Sequence, residues 1–499
     1  MFPRERWAFM LHANRESRIS AGASRRGAEG RMFFTHGMKQ AALAGLGSTL
    51  IMTAAMGSAS AQSLEQSLVA AYGSNATLNA QRAATRASDE NVPRALSGYR
   101  PTITGAAGAT RNSAGVITEP GGGNPSTTTN KVLNQSSVSI TIEQNLYNGF
   151  RTANNTRAAE AQVRQSREIL RQTEQQVLLD AATAHMNVLR DEALLQLQQQ
   201  NLQALGSQLK AAKDRFAVGE VTRTDTALAE AAEAGGRSSL IQAQSALASS
   251  RAVYRQVIGL DPHKLSPGRP VDPLLPHSFN EAVTEATDRH PAVVAAQYAI
   301  DFAALQVKVA EGALLPSVNA QGRLARNNEP QIGVARQTEA SVGLNAAAPI
   351  YQGGGEYAAV RQAKEVLGQT RIQMDVTREQ VRALIVQFWN QLQAAKSSIQ
   401  AAQTQVNAQK IALNGITEEY KVGQRTITDV LNAQAQLVQA QSNLVNSQRD
   451  RVVASYAVLG AMGHLDASTL NLNVIAYDPQ VHYQQVRDSW IGLRTPDGR

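Results

Sequence analysis

A duplication at a fixed offset limits the folds open to this chain more than any other feature. The stretches FAVGEVTRTDTALAEAA, from Phe216 to Ala232, and YKVGQRTITDVLNAQAQ, from Tyr420 to Gln436, share an aromatic residue, a Val-Gly pair and a Thr-x-Thr-Asp run. Gly219 and Gly423 stand 204 positions apart, as do Asp225 and Asp429, and Tyr147 in NLYNGF and Tyr351 in PIYQGG. Upstream the offset becomes 215, for Pro101 in YRPTIT against Pro316 in LLPSVN and for Leu64 against Phe279. The difference of 11 (215 less 204) falls where the first copy carries EPGGGNPSTTTN, a glycine-rich insertion. A unit that occurs twice must bury its apolar face twice in the same way, so the fold is expected to be internally symmetric.

Within each copy a long helical window is marked out by missing proline, which a helix interior excludes. There is none between Pro125 and Pro262 or between Pro349 and Pro479. Steps of four and three from Leu170 to Phe216 visit 14 positions, 11 of them apolar. The equivalent positions from Met374 to Tyr420 give 12 of 14, with only Arg378 and Gln409 polar. A stripe sustained at 3.5 residues predicts a left-handed coiled coil. The 69 residues from Gly149 to Ala217 would run roughly 100 Å at about 1.5 Å per residue, too long for the core helices of a compact bundle. Two long helical hairpins are therefore expected, turning near Gly219 and Gly423. An aromatic content of only 5% suits such thin cores, and the lack of cysteine excludes disulfides, thiolate metal sites and cysteine nucleophiles.

Short alternating segments lie between these windows. SVSITIEQ sets Val138, Ile140 and Ile142 against Ser139, Thr141 and Glu143, and SVGLNAAAPI sets Val342, Leu344 and Ala346 against Ser341, Gly343 and Asn345. After Pro316, Val318, Ala320, Gly322 and Leu324 alternate with Ser317, Asn319, Gln321 and Arg323, and the segment after Pro101 matches more weakly through Ile103 and Gly105. Each is about 10 residues, the length of a tilted strand crossing a bilayer. The same alternation suits a soluble sheet with one solvated face. Four strands cannot close a barrel, and open edges cannot lie in lipid. An exported chain of this kind would have to pool strands with copies of itself, and three copies would close a twelve-stranded barrel continued by helices.

Export is read from the front of the chain. Lys39 precedes the apolar AALAGLGSTLIMTAAM, and ASA ends at Ala61, so residues 38–61 are expected to be a signal peptide behind an over-extended start at 1–37. No later stretch reaches 18 apolar residues, and no transmembrane helix is expected in the mature chain. The net charge of +8 sits mostly in the leader: residues 1–61 hold eight basic and three acidic residues, leaving +3 for the remainder. No nucleic-acid partner is expected from that balance. HExxH, Walker and GxSxG motifs are absent, and the eight histidines are scattered. His290, just before Pro291, reads as turn chemistry, and Gly353–Gly355 as a strand-to-helix turn. Neither an enzyme nor a metal or cofactor site is expected.

In this combination and order the sequence resembles the TolC family of outer-membrane efflux and type I secretion channels. YKVGQRTITDVLNAQAQL is the most specific piece, with FAVGEVTRTDTALAEA, LPSV and PIYQGG in support, and the resemblance runs from about Ser63 to His464. It implies an α+β membrane protein: a long antiparallel α-helical coiled-coil barrel continued by a trimeric 12-stranded transmembrane β-barrel, four strands per chain. The expected division is a first repeat over 62–277 with a β-hairpin at 100–147, a second over 278–470 with a hairpin at 315–351, and a C-terminal tail, 471–499, outside the duplication. Implied partners are two further copies of the chain, outer-membrane lipid, a periplasmic adaptor (membrane fusion) protein and an inner-membrane ABC or proton-driven transporter.

The resemblance also carries site residues. It implies that Tyr420 and Arg425 tie the inner coil to Thr224 and Asp225 on neighbouring coils, closing the periplasmic tip. An arginine fork facing an Asp-Thr pair is chemically suited to that task. Asp429 matches the first of two acidic residues at the family's constriction, but the second position is Asn432 here, so weaker cation preference is expected. The turns at Val218, Gly219, Val422, Gly423 and Thr426 are the implied adaptor contacts. Helix capping competes for Asp225 and Asp429, with glycine ending one helix and a threonine just ahead to begin the next. Seam packing competes for Tyr420, and a solvated surface role for Arg425. At the level of the whole chain, the rival is a soluble periplasmic coiled-coil adaptor or scaffold.

Overall fold

The computed structural model describes residues 62–118, 127–496 and 498. The expected leader, the signal peptide and most of the glycine-rich insertion lie outside the described residues. Three short helices open the described chain, α1 (Leu64–Ser74), α2 (Ala76–Asp89) and α3 (Asn91–Leu96), and lead into strands β1 (Thr102–Thr118) and β2 (Thr127–Tyr147). The first hairpin follows as α4 (Arg151–Ala217) and α5 (Arg223–Ile258). The pattern then returns with α6 (Phe279–Arg289), α7 (Pro291–Gly312), β3 (Ser317–Gln331), β4 (Val334–Ala347), α8 (Gly355–Lys421) and α9 (Ile427–Ala461), and a small α10 (Pro479–Val486) closes the chain.

Helices α4 and α8 are each 67 residues long, about 100 Å. Left-handed residues set their starts, Gly149 and Phe150 ahead of α4 and Gly353 and Gly354 ahead of α8. The 3.5-residue stripe is what they bury: Leu170, Val177, Ala181, Ala184, Val188 and Leu205 on α4, and Met374, Val381, Ile385, Leu392, Ala402 and Val406 on α8. The return limbs are about half as long, 36 residues in α5 and 35 in α9. Gly259 (φ 81°) stops α5 ahead of Pro262, and Gly463 (φ 83°) stops the chain after α9. The half of α4 without a return limb packs against α1, α2, α3 and α7, and that of α8 against α6 and α7. By length and composition, the run Phe279–Gly312 could cross a membrane; it is broken at His290-Pro291, and α7 packs along α4 and α8.

The largest core surrounds the middle part of α4, where Leu68, Leu178, Tyr254, Ile258, Leu459 and Leu465 meet. Inside it Ser67 Oγ lies 2.9 Å from both His185 Nδ1 and the Tyr254 hydroxyl, and His185 Nε2 reaches the Ser266 carbonyl at 3.0 Å. All three side chains are fully buried, so this network carries its own hydrogen bonds as burial requires. The C-terminal tail has a structural task. Residue His482 of α10 places Nδ1 2.9 Å from Asp89 Oδ2 on α2, and Tyr483 packs beside Val92 and Val163. Desolvation raises the Asp89 carboxyl above its usual range.

The strands form one antiparallel sheet in the order β1-β2-β3-β4. They run to 17, 21, 15 and 14 residues, longer than the expected 10. The expected length measured only the apolar alternation, and hairpin pairing continues past it into polar sequence.

Candidate functional site: the strand sheet and the coil tips

Register across the sheet turns four separate alternations into two faces. Ile103, Ile142, Gly322 and Val342 share one rung, and Gly105, Ile140, Leu324 and Ala340 share the next rung on the same face. These side chains stand in the open, with Val342 93% and Leu344 70% exposed. Rungs between them point the other way and are polar: Thr104, Thr141, Arg323 and Ser341, then Thr102, Glu143, Gln321 and Gly343. From Leu146 to Val138 the apolar face is about 20 Å tall for tilted strands, close to the height of a membrane barrel's outer band. The outer edges of β1 and β4 have no strand partner among the described residues.

At the opposite end, both long helices reverse in the same way. Gly219 (φ 81°) and Gly423 (φ 79°) each occupy the left-handed position that favours glycine, with open space where a side chain would project. Gly219 N–H donates to the Phe216 carbonyl and Glu220 N–H to the Arg215 carbonyl, at 3.0 and 2.9 Å. Gly423 to Tyr420 and Gln424 to Glu419 repeat the pair at 3.1 and 2.9 Å. This double bond pattern satisfies the last carbonyls of a helix and turns the chain sharply. Val218 and Val422 cap the ends just before these glycines and are more than 70% exposed.

Both shared aspartates are capping residues, though not at the expected position. The N-cap is Thr222 for α5 and Thr426 for α9, and Asp225 and Asp429 stand three residues on, completing capping boxes. Asp225 Oδ2 accepts from Thr222 N–H at 2.9 Å and from its hydroxyl at 2.8 Å, and Asp429 Oδ2 takes the same pair from Thr426 at 3.0 and 2.8 Å. Thr224 and Thr428, the residues directly ahead of the aspartates, are exposed and cap nothing. The T-x-x-D spacing was the signal that separates Thr222 from Thr224. In neither aspartate does Oδ1 have a partner among the described residues, so capping leaves it open to a second donor. Hydrogen bonds from Thr426 hold the Asp429 carboxyl below the usual range, so it is charged at neutral pH.

The remaining tip residues are placed by packing. Tyr420 is half-buried beside Ala212 of α4, Ala229 of α5 and Ile427 of α9, so one small cluster joins all four long helices. The Arg215 guanidinium lies over the Tyr420 ring, 5.0 Å from its centre. Arg425 Nε donates to Glu419 at 2.8 Å, which raises the already high Arg425 pKa. Within one chain Arg425 is thus paired with Glu419, not with Asp225. Sequence reasoning missed Glu419 and Arg215, because their partners are fixed by the turn and by the meeting of two hairpins. Asn432 is exposed on the first turns of α9, three residues past Asp429. Among the described residues no group of three or more His, Cys, Asp or Glu stands close enough to hold a metal.

The family model described as "Outer membrane efflux protein" matches residues 68–260 and 282–464, most of the chain. The chain belongs to the outer membrane efflux protein family. Outer membrane efflux protein BepC of Brucella suis is 42% identical over 439 residues, covering 88% of this chain and 93% of that protein. Outer membrane protein TolC of Escherichia coli strain K12 is 27% identical over 326 residues, 61% of this chain and 64% of that one. Among solved structures, the Campylobacter jejuni CmeC outer membrane channel superposes with a TM-score of 0.70 at 15% identity, over 85% of this chain and 89% of that chain. The Vibrio cholerae outer membrane protein VceC gives 0.66 at 17%, over 80% and 96%. The fold is therefore that of the outer-membrane channels, and this efflux protein resides in the outer membrane as an export duct. A soluble adaptor is not favoured, since the exposed apolar face of the sheet would then have no medium to meet.

Proposed function

We propose that three copies of this chain assemble into a passive, water-filled duct whose coil tips form its gate. One observation carries the reading: a four-stranded sheet that is apolar on one face, polar on the other and, among the described residues, unpaired along both outer edges. Such a sheet can enter lipid only by closing with its own copies, edge β4 of one to edge β1 of the next. Three copies would give a closed twelve-stranded barrel with a polar lumen, and head-to-tail contacts that close on themselves make rings. The duct performs no covalent chemistry. Cargo would be delivered by a periplasmic adaptor and an inner-membrane ABC or proton-driven transporter, the adaptor meeting the exposed turns at Val218, Gly219, Val422, Gly423 and Thr426.

The gate in this reading consists of Thr224, Asp225, Tyr420, Arg425, Asp429 and Asn432. Arg425 spends Nε on Glu419, which leaves the outer fork of its guanidinium to bridge to Asp225 of a neighbouring hairpin, where Oδ1 is open. Asp429 contributes one carboxylate per chain and Asn432 none, so a trimer carries a single ring of three charges at its constriction. Replacing Arg425 and Tyr420 together should raise single-channel conductance in planar bilayers and increase antibiotic entry into cells. Unchanged conductance in a double variant that still runs as a heat-resistant trimer would sink the gate assignment. Absence of any such trimer from outer-membrane extracts would sink the duct itself.

A further inference from the structure

The outward face of the sheet changes character abruptly beyond Val138. Starting on the Val138 rung and moving away from the helices, three successive rungs carry Arg326 opposite Val138, Arg336 on the rung of Ser136 and Asn328, and Arg111 opposite Asn134. All three arginines are exposed, and none makes an ion pair among the described residues. The described strand residues include only three acidic ones. Glu143 and Glu339 lie on the polar face, and Glu329 spends Oε2 on the Asn134 N–H at 3.0 Å.

The other margin of the apolar band is built differently. Tyr99, Phe150 and Tyr351 are all more than half exposed where the strands join the helices, and Tyr147 sits edge-on to Phe150 with ring centres 5.4 Å apart. Aromatic residues at a membrane margin mark the headgroup level. Beyond Val138 the described strand residues include no aromatic at all. One margin is thus aromatic and the other cationic.

We propose that Arg111, Arg326 and Arg336 form a girdle that binds the phosphate groups of the phosphorylated glycolipid in the outer leaflet. The inference rests on the barrel reading above. With the helices on the periplasmic side, the arginines fall at the outer leaflet, one step past the hydrocarbon. Guanidinium forks match phosphate oxygens in pairs, and three successive rungs on each of three chains would encircle the barrel. Lipid is the occupant that fits, because the girdle continues directly from the apolar band and a headgroup phosphate lies at that depth.

The test uses the full chain in detergent, titrated with bisphosphorylated lipid A, with its dephosphorylated form and with inorganic phosphate, binding being read by native mass spectrometry. Bisphosphorylated lipid A should bind the wild-type protein, and neither other ligand should bind at the same concentrations. R111Q/R326Q/R336Q should weaken binding by on the order of a hundredfold, since each basic residue at an anionic surface contributes on the order of fivefold. The triple lysine variant should keep most of the affinity, and R323Q, which alters the polar face, should keep all of it. If the triple glutamine variant does not assemble, the three single variants carry the test at about fivefold each. Equal binding by the glutamine variants, an equal loss of binding in R323Q, or equal binding of the dephosphorylated lipid overturns the girdle. A wild-type chain that forms no heat-resistant oligomer overturns the barrel reading instead.

Discussion

Acidification should loosen the junction of α6 and α7, and His290 is the group responsible. It ends α6 and begins α7, with Pro291 as the first residue of the new helix. Its Nδ1 accepts the Ala292 N–H at 3.2 Å, and the ring faces the Gly460 backbone. A proton on Nδ1 would turn that acceptor into a donor facing a donor. Burial pushes the imidazole pKa down from 6.5 to about 4, outweighing the Gly460 backbone contact, which raises it. A histidine whose folded pKa is depressed stabilises the fold fully above its unfolded value, and that contribution is lost as pH falls toward the folded one. Between pH 7 and pH 4.5 the loss comes to about 2 kcal/mol. His185, also lowered by burial, acts in the same direction, so the His290 share must be isolated. His290→Asn keeps a capping acceptor but cannot titrate. Urea unfolding of the detergent-solubilised protein at both pH values, in wild type and H290N, gives that share by difference. An identical pH dependence in the two proteins would refute the reasoning.

The tip offers two sharper comparisons. Thr426→Ala should destabilise the first turn of α9 by about 1 kcal/mol, whereas Thr428→Ala should change little; amide hydrogen exchange in that turn, about fivefold faster only in the first variant, reads the difference. Gly423→Ala meets no neighbouring atom, so its cost is purely the left-handed backbone, about 1 kcal/mol. Exchange at Gln424, whose N–H closes the turn, should accelerate accordingly, and an unchanged rate would show that the turn tolerates a side chain at that φ.

Most of the fold was legible because its determinants are local and doubled. Proline spacing, a 3.5-residue stripe and a constant offset between copies specify two long helices and the places where they reverse. Period-two alternation likewise specifies four strands and which face of each is apolar. These properties need no knowledge of what a residue touches. The strand lengths were not legible, since hairpin pairing runs on through polar residues such as Asn112 and Gln135 that carry no alternation.

Contacts between distant segments belonged to the tertiary structure alone. The pairing of Arg425 with Glu419, the stacking of Arg215 on Tyr420, and the joining of the tail to α2 through His482 and Asp89 each depend on which helices meet and at what height. Such contacts leave no periodic trace along the chain. The shared aspartates stand between the two cases. Their capping role follows from a three-residue spacing visible in the sequence, while the freedom of their second oxygen became apparent only once every neighbour was in place.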